Sequence, residues 1–211
     1  MTIACPLCYS SQTEHYLQDN RRCYQLCNDC QLIFVPSKFH LNQHDEKRIY
    51  DLHENSPQDE GYQQFLNKLL TPLTRKLTQG ATGLDFGCGP GPTIQPMLEA
   101  QGFKVTNYDL YYQSNDSVLE QRYDFITCTE VIEHFNQPRR ELELLHSLLR
   151  PNAYLGIMTK RPTSLEAFKG WHYKNDLTHI CFFSEATFHW IADYFGYRLE
   201  FPGKDTAILQ R

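Results

Sequence analysis

Three groups of residues in this 211-residue chain have types and spacings suited to chemistry. The first is the turn Asp85-Phe86-Gly87-Cys88-Gly89-Pro90-Gly91. Glycines this dense let backbone amides approach a ligand closely and adopt conformations that other residues avoid. The spacing is G-x-G-x-G, not the G-x-G-x-x-G of dinucleotide sites, and an acid stands two residues before the first glycine. A pyrophosphate would be repelled by that carboxylate, whereas a ligand with a cationic end would be held by it. Asp109 follows about 20 residues later at the end of an expected strand, where a carboxylate can accept from both hydroxyls of a ribose.

The second group is Cys5-Pro-Leu-Cys8 and Cys27-Asn-Asp-Cys30. Two C-x2-C pairs at this separation match a structural zinc site, in which four thiolates surround one tetrahedral ion. Five of the eight cysteines lie in the first 30 residues, and Cys23 between the pairs fits the spacing less well. A segment with one short apolar run, Leu32 to Val35, needs such a staple to fold. Tyr9 and Gln31 stand where such knuckles usually carry glycine, and a left-handed residue there costs ~1–2 kcal/mol. Bound metal would outweigh that cost.

The third group is histidines: His134 in Glu130-Val-Ile-Glu-His-Phe135, and His172 and His179 in the aromatic, polar segment Trp171–His179. An imidazole can take a proton from a nucleophile near neutral pH. A packed, hydrogen-bonded structural role for His179 is an equal reading of the same residues.

These residues need a scaffold. Residues 1–40 form the expected metal module, 41–60 a polar connector with a short helix near Tyr50, and 61–211 the main domain. From Tyr62 an apolar stripe through Phe65, Leu66, Leu69, Leu70, Leu73 and Leu77 predicts an amphipathic helix kinked at Pro72. Strands and helices then alternate: strands at 83–86, 104–109, 124–129 and 153–159, helices around Ile94–Leu98 and over 139–149. Ser184 caps a helix ending at Gly196, and strands at 197–201 and 206–209 make a closing hairpin. The alternation predicts an α/β fold, a Rossmann-like sheet with helices on both faces, preceded by a small zinc ribbon. Glycine turns in such folds lie at the carboxyl edge, where ligands bind.

The segments LDFGCGPG, YDL and DFITCTEVIEH resemble the motifs of class I methyltransferases that use S-adenosylmethionine (SAM), in particular the type 11 and type 23 groups. The resemblance covers about residues 60–201. It implies a seven-stranded Rossmann-like sheet, SAM as cofactor, Asp85, Gly87, Cys88, Gly89 and Gly91 around its amino-acid end, Asp109 on the ribose, and Thr129 and Glu130 lining it. EVIEHF is similar to an element placed where methyl donor and acceptor meet, and the cysteine segment resembles ribbons that precede some type 23 members. Asp176-Leu-Thr-His179 followed by Phe182-Phe-Ser184 is similar to a family element as well, and Tyr50, His53, Asn55 and Gly61-Tyr62 occupy the place of a lid that orders over SAM. The chain departs from the pattern between Leu110 and Tyr123, too short for the usual helix, strand and acidic adenine contact; Asp116 is the candidate there. Arg150-Pro-Asn152 also replaces the usual Pro-Gly-Gly turn.

A net charge of −5 opposes general nucleic-acid binding, and the first 40 residues carry three cations against three anions. The N-terminus has no signal-peptide pattern, and no window approaches the ~20 apolar residues of a membrane span, so a cytoplasmic protein is expected. The expected function is methyl transfer from SAM to a small-molecule acceptor. The alternatives are a protein or RNA acceptor recruited by the ribbon, and a SAM-binding protein without catalysis. A zinc-dependent dehydrogenase is disfavoured by the glycine spacing.

Overall fold

In chain order, the computed structural model, which describes residues 3–52 and 56–211, begins with a hairpin. Strand β1 (Thr13–Gln18) pairs antiparallel with β2 (Cys23–Cys27), and β2 with the short β3 (Ile33–Phe34). Helix α1 (Gln43–Tyr50) is capped by Asn42, whose side chain accepts from the amide of Asp45. Helix α2 (Glu60–Thr74) is capped by Asp59 and retains Pro72 close to its end.

The main sheet follows: β4 (Thr82–Phe86), α3 (Ile94–Glu99), β5 (Lys104–Tyr108), β6 (Tyr123–Thr129), α4 (Pro138–Leu148) and β7 (Leu149–Met158). After α5 (Leu165–Lys169) and β8 (Cys181–Phe182) come α6 (Glu185–Phe195), β9 (Arg198–Gly203) and β10 (Thr206–Gln210). Its strand order is β5-β4-β6-β7-β10-β9, with β4 to β7 parallel and the closing hairpin antiparallel. Ser184 and Thr187 complete a capping box at α6, and Gly196 ends it with φ 73°.

The seven-stranded sheet implied by the resemblance is not reached, because among the described residues six strands form the main sheet. The short segment after β5 supplies one bridge, Asp109 to Gln113, and a 3-10 turn over 116–120 in place of the helix and strand. The expected strand at 153–159 instead begins at Leu149, directly after α4. Arg211 draws the turn into the ladder: Asn152 donates to the Arg211 carbonyl and Arg211 donates to the Ala153 carbonyl. Asn152 takes the left-handed conformation, φ 65°, in the place usually held by glycine.

Alternation along the strands divides the core into two layers. Phe125, Met158 and Ile208 face α2 and α3, joining Leu66, Leu69, Leu70, Leu73, Ile94 and Leu98. Gly156 on β7 makes room for Leu69 and Leu73, because a Cβ there would meet Leu73 at 3.1 Å. Ile126, Leu155, Ile157 and Leu209 face the opposite side, where α4 and α6 pack. That second layer continues without a break into the first 40 residues through Leu7, Tyr24, Leu32, Phe34 and Val35. Strand β3 pairs with β8, so the ribbon sheet, β1-β2-β3-β8, takes its last strand from residues 181 and 182. No described helix is long and apolar enough to cross a membrane.

Candidate functional site

Strand β4 delivers Asp85 into the core, 3% exposed, with one oxygen accepting from the Thr127 hydroxyl at 2.8 Å. Burial pushes its carboxyl up to about 7. The chain then turns through Gly87 (φ 81°) and Gly89 (φ 68°), both left-handed. A Cβ on Gly87 would strike Val131 at 2.4 Å, while the space over Gly89 is open. The amides of Gly87 and Cys88 donate to the Tyr108 carbonyl, which pins the turn to β5. Gly91 is half-buried at the far end of the turn, and its carbonyl accepts from the Thr93 hydroxyl.

Asp109 sits at the end of β5 and is fastened three times. Its Oδ2 accepts from the Gly89 amide at 2.9 Å, and its Oδ1 from the amides of Tyr111 at 2.8 Å and Tyr112 at 3.1 Å. A carboxylate has about four acceptor positions, so little capacity is left for a ribose. Helix α1 closes over this turn: Tyr111 donates to Glu46 and Tyr112 to Asp51, each at 2.7 Å. Asp116 is exposed on its 3-10 turn. His53 and Asn55, named with the expected lid, lie outside the described residues.

Beyond β6 the chain carries a second constellation. Thr129 and Glu130 are half-buried, and Glu130 takes φ 53°, a left-handed value that is costly for a non-glycine residue. Such strain at a strand end marks a position fixed by its surroundings. Tyr173 donates towards both Glu130, at 3.1 Å, and Glu133, in a short contact, while its oxygen also meets the Thr159 hydroxyl. The second oxygen of Glu133, which is 0% exposed, has no hydrogen-bond partner among the described residues, and the same holds for Glu130 Oε1 and Thr129 Oγ1. Burial raises Glu130 to about 7, and burial together with the Glu130 charge raises Glu133 to about 8. Tyr62 on α2 feels both Asp85 and Glu130, and with burial as the larger cause its phenol is pushed up to about 12. One tyrosine thus links the glycine edge to the acid cluster.

His134 and His179 meet edge to face, with ring centroids 4.7 Å apart. His134 Nδ1 faces the Thr178 carbonyl at 3.1 Å, and His179 Nδ1 faces the Tyr173 carbonyl at 2.7 Å. A carbonyl only accepts, so each Nδ1 carries the proton and in the neutral ring the lone pair is on Nε2, which in His179 lies 3.9 Å from Asp176 Oδ2. Tyr50 of α1 packs edge-on against His134 at 5.2 Å. Ligand atoms from Glu133, His134 and His179 lie within 4.8 Å of one another. His172 stands apart from this group: it is exposed, and its Nε2 pairs with the Lys160 ammonium at 3.1 Å.

Neither Glu133 nor Tyr173 was singled out from the sequence, although both lie inside quoted segments. The signal for Glu133 was its place three residues after Glu130 and beside His134, which puts both acids within reach of one group on a single turn.

In the ribbon, one sulfur from each of Cys5, Cys8, Cys27 and Cys30 lies within 4.8 Å of the others, with Cys5–Cys30 at 3.5 Å and Cys8–Cys27 at 3.3 Å. Thiolates bound tetrahedrally at ~2.3 Å would be about 3.8 Å apart, so the set fits a zinc ion. Tyr9 (φ 61°) and Gln31 (φ 58°) adopt the left-handed conformation, and their amides donate to the Cys5 and Cys27 carbonyls. Cys23 lies outside the set.

A family model described as a methyltransferase domain matches residues 58–200. The chain belongs to this family. Among curated proteins it is 28% identical to the ubiquinone biosynthesis O-methyltransferase of Histophilus somni over 99 residues, which is 44% of this chain and 40% of that one. It is 30% identical to the enzyme of the same name from Rickettsia typhi over 123 residues, 44% of this chain and 50% of that one. The matches therefore span half or less of these relatives' length. Among solved structures, the 1,6-didemethyltoxoflavin-N1-methyltransferase of Burkholderia thailandensis, bound to its substrate and S-adenosylhomocysteine, aligns with a TM-score of 0.51 at 16% identity over 94% of this chain and 99% of its own. The magnesium protoporphyrin IX methyltransferase of Synechocystis PCC 6803, with SAM bound, gives 0.51 at 18% identity over 82% and 91%. These likenesses show the fold, Rossmann-like as the alternation of elements predicted.

Proposed function

We propose that the chain transfers the methyl group of SAM to a hydroxyl of a small molecule. The observation that carries this reading is the course of the chain after β6, which ends at Thr129: Val131 packs against Gly87 of the glycine turn, and Glu133 and His134 follow within one turn. SAM supplies an electrophilic methyl group when bound, and the protein's part is to align donor and acceptor, exclude water and take the acceptor's proton. Asp85 would hold the cationic amino end, with Gly87, Cys88, Gly89 and Gly91 lining it. Asp109 would reach the ribose with its remaining capacity and fix the glycine turn with the rest. His134, with its lone-pair nitrogen set by Thr178, is the candidate base; His179 supports it, and His172 would act only at the rim. The ubiquinone O-methyltransferases similar to this chain are named for O-methylation of a small molecule, which favours that acceptor class over protein or RNA.

One observation favours a second role for the same residues. Glu133, His134 and His179 form a mixed nitrogen and oxygen donor set, one oxygen of Glu133 is buried with no described partner, and both histidines are oriented by carbonyls. Such a set suits a divalent cation that would lower the pKa of an acceptor hydroxyl. Incubation with SAM and a panel of hydroxylated aromatic compounds, with S-adenosylhomocysteine release as readout, tests the function. Release should occur with at least one phenol or catechol and fall at least 100-fold in His134→Ala. Release with total RNA or protein alone would transfer the reading to a macromolecular acceptor. Titration of Mg2+ or Mn2+ into the protein with its ribbon zinc left in place decides between base and cation: turnover that rises with the added ion favours the cation, and turnover indifferent to it favours the base.

A further inference from the structure

The loop from Tyr173 to Ile180 carries the two carbonyls that face the Nδ1 atoms of His134 and His179, and its other side is held by the ribbon. Arg22, in the hairpin turn immediately before β2, is 1% exposed. Its guanidinium donates to three carbonyls of that loop: Nη2 to Lys174 at 2.7 Å and to Asp176 at 2.9 Å, and Nη1 to Leu177 at 3.1 Å. Nε donates to the Tyr24 hydroxyl at 3.0 Å. Asp19 completes the grip. Its Oδ1 accepts from the amides of Arg21 and Arg22, and its Oδ2 accepts from Tyr24 and from the buried Lys174 ammonium at 3.1 Å. Arg21 adds a bond to the Asn175 carbonyl.

A planar cation with five donors in a fixed fork is what a cluster of inward-facing carbonyls requires; an ammonium cannot reach three of them and a hydroxyl in one geometry. On its other side the loop turns its carbonyls at Tyr173 and Thr178 to the histidines, while the Ile180 amide donates to the Glu133 carbonyl at 2.8 Å. The main domain grips the ribbon in return: Arg139 of α4 donates to the Leu7 carbonyl inside the first knuckle at 2.7 Å. The loop is thus hydrogen-bonded to the ribbon on one side and to the EVIEH segment on the other.

We infer that Arg22 is a positioning residue that holds the 173–180 loop so that His134 and His179 keep their orientation, and that the ribbon serves the active site as a brace. The inference rests on the reading of those histidines as functional, but its test needs no acceptor. The 211-residue chain, prepared with zinc, would be compared with Arg22→Lys and Lys174→Met by amide hydrogen exchange and by nitrogen NMR of the imidazoles. In Arg22→Lys the amides of Thr178 and His179 should exchange at least tenfold faster. The His134 and His179 signals should move from a single Nδ1-protonated tautomer towards the average of two. The amides of Cys27 and Gln31, the zinc content and the affinity for S-adenosylhomocysteine should be unchanged. Lys174→Met should show the same changes at smaller amplitude and keeps the test valid where Arg22→Lys loses its zinc. Unchanged exchange and tautomers in both variants would overturn the inference, as would acceleration that spreads equally over the ribbon. Absence of turnover with every acceptor in the wild type would instead count against the proposed function alone.

Discussion

A single carboxylate shows how a buried residue can be costly for the isolated fold and useful to its ligand. Asp85 is held by one hydroxyl in an otherwise apolar place, which raises it to about 7 from an ordinary value of 3.8. Below about 4 both folded and unfolded forms are protonated, between about 4 and 7 the unfolded chain has released a proton that the fold still holds, and above 7 both are charged with the full cost of the buried carboxylate in place. The ligand-free protein therefore loses stability from this group across that window. A bound ammonium reverses the balance, so affinity for S-adenosylhomocysteine should rise about tenfold between pH 6 and pH 8, with release of one proton at pH 6. Calorimetry in buffers of different ionisation enthalpy measures both, and Asp85→Asn should flatten the dependence. The type and spacing of this residue were legible in the sequence because the glycine turn is local. Asp109 was legible too, yet its three amide bonds were not, because they depend on how the shortened segment after β5 folds back. Glu133 and Arg22 escaped notice for a related reason: burial of a charged side chain is set by distant partners, and neither residue has a local pattern that announces it.

At the scale of elements, the strain in the two cysteine knuckles has a measurable size. Gln31 keeps a left-handed backbone and gains only an exposed hydrogen bond from its amide side chain to the Asn28 carbonyl. Gln31→Gly should raise the stability of the zinc-loaded protein by about 0.5–1 kcal/mol, the relief of ~1–2 kcal/mol less the entropy of an added glycine. Thermal or urea unfolding reads this directly. Tyr9→Gly should gain less, because the Tyr9 ring lies against the Arg139 guanidinium at 5.3 Å. The left-handed sites at Tyr9, Gln31 and Asn152 follow from motif positions, so they were visible in advance. Most helices and strands were visible as well, since their periodicity is strong and their caps, Ser184 and Gly196 above all, are of the expected types. The strand β8 was not, because two residues in a Cys-Phe-Phe run carry no period, and only the partner strand from the ribbon makes them part of a sheet.

Across the whole molecule, the ribbon and the catalytic fold share one apolar layer and one hydrogen-bonded loop, so loss of the metal should be felt at a distance. Removing zinc with a strong chelator should lower the melting temperature of the entire chain in one transition and should loosen the Thr178 and His179 amides. Cys27→Ser should bind less than one zinc per chain and show the same changes. Two separate transitions, with the second unaltered by chelation, would mean that the ribbon is an independent unit. The composition and the cysteine spacing pointed to a module at the start of the chain. That the module is completed by residues near its end could not be read from either, because pairing between segments so far apart leaves no mark on local sequence.

The pairing of Ile33 and Phe34 with Phe182 and Cys181 also sets a timetable. At a ribosomal pace of about 5–20 residues per second, the partner of that edge emerges on the order of ten seconds after it. During that interval the four ribbon sulfurs are already available to capture an ion, while an apolar two-residue edge waits unpaired and open to other chains. Metal capture by the nascent chain would close the thiols to oxidation and leave the hairpin preformed for docking.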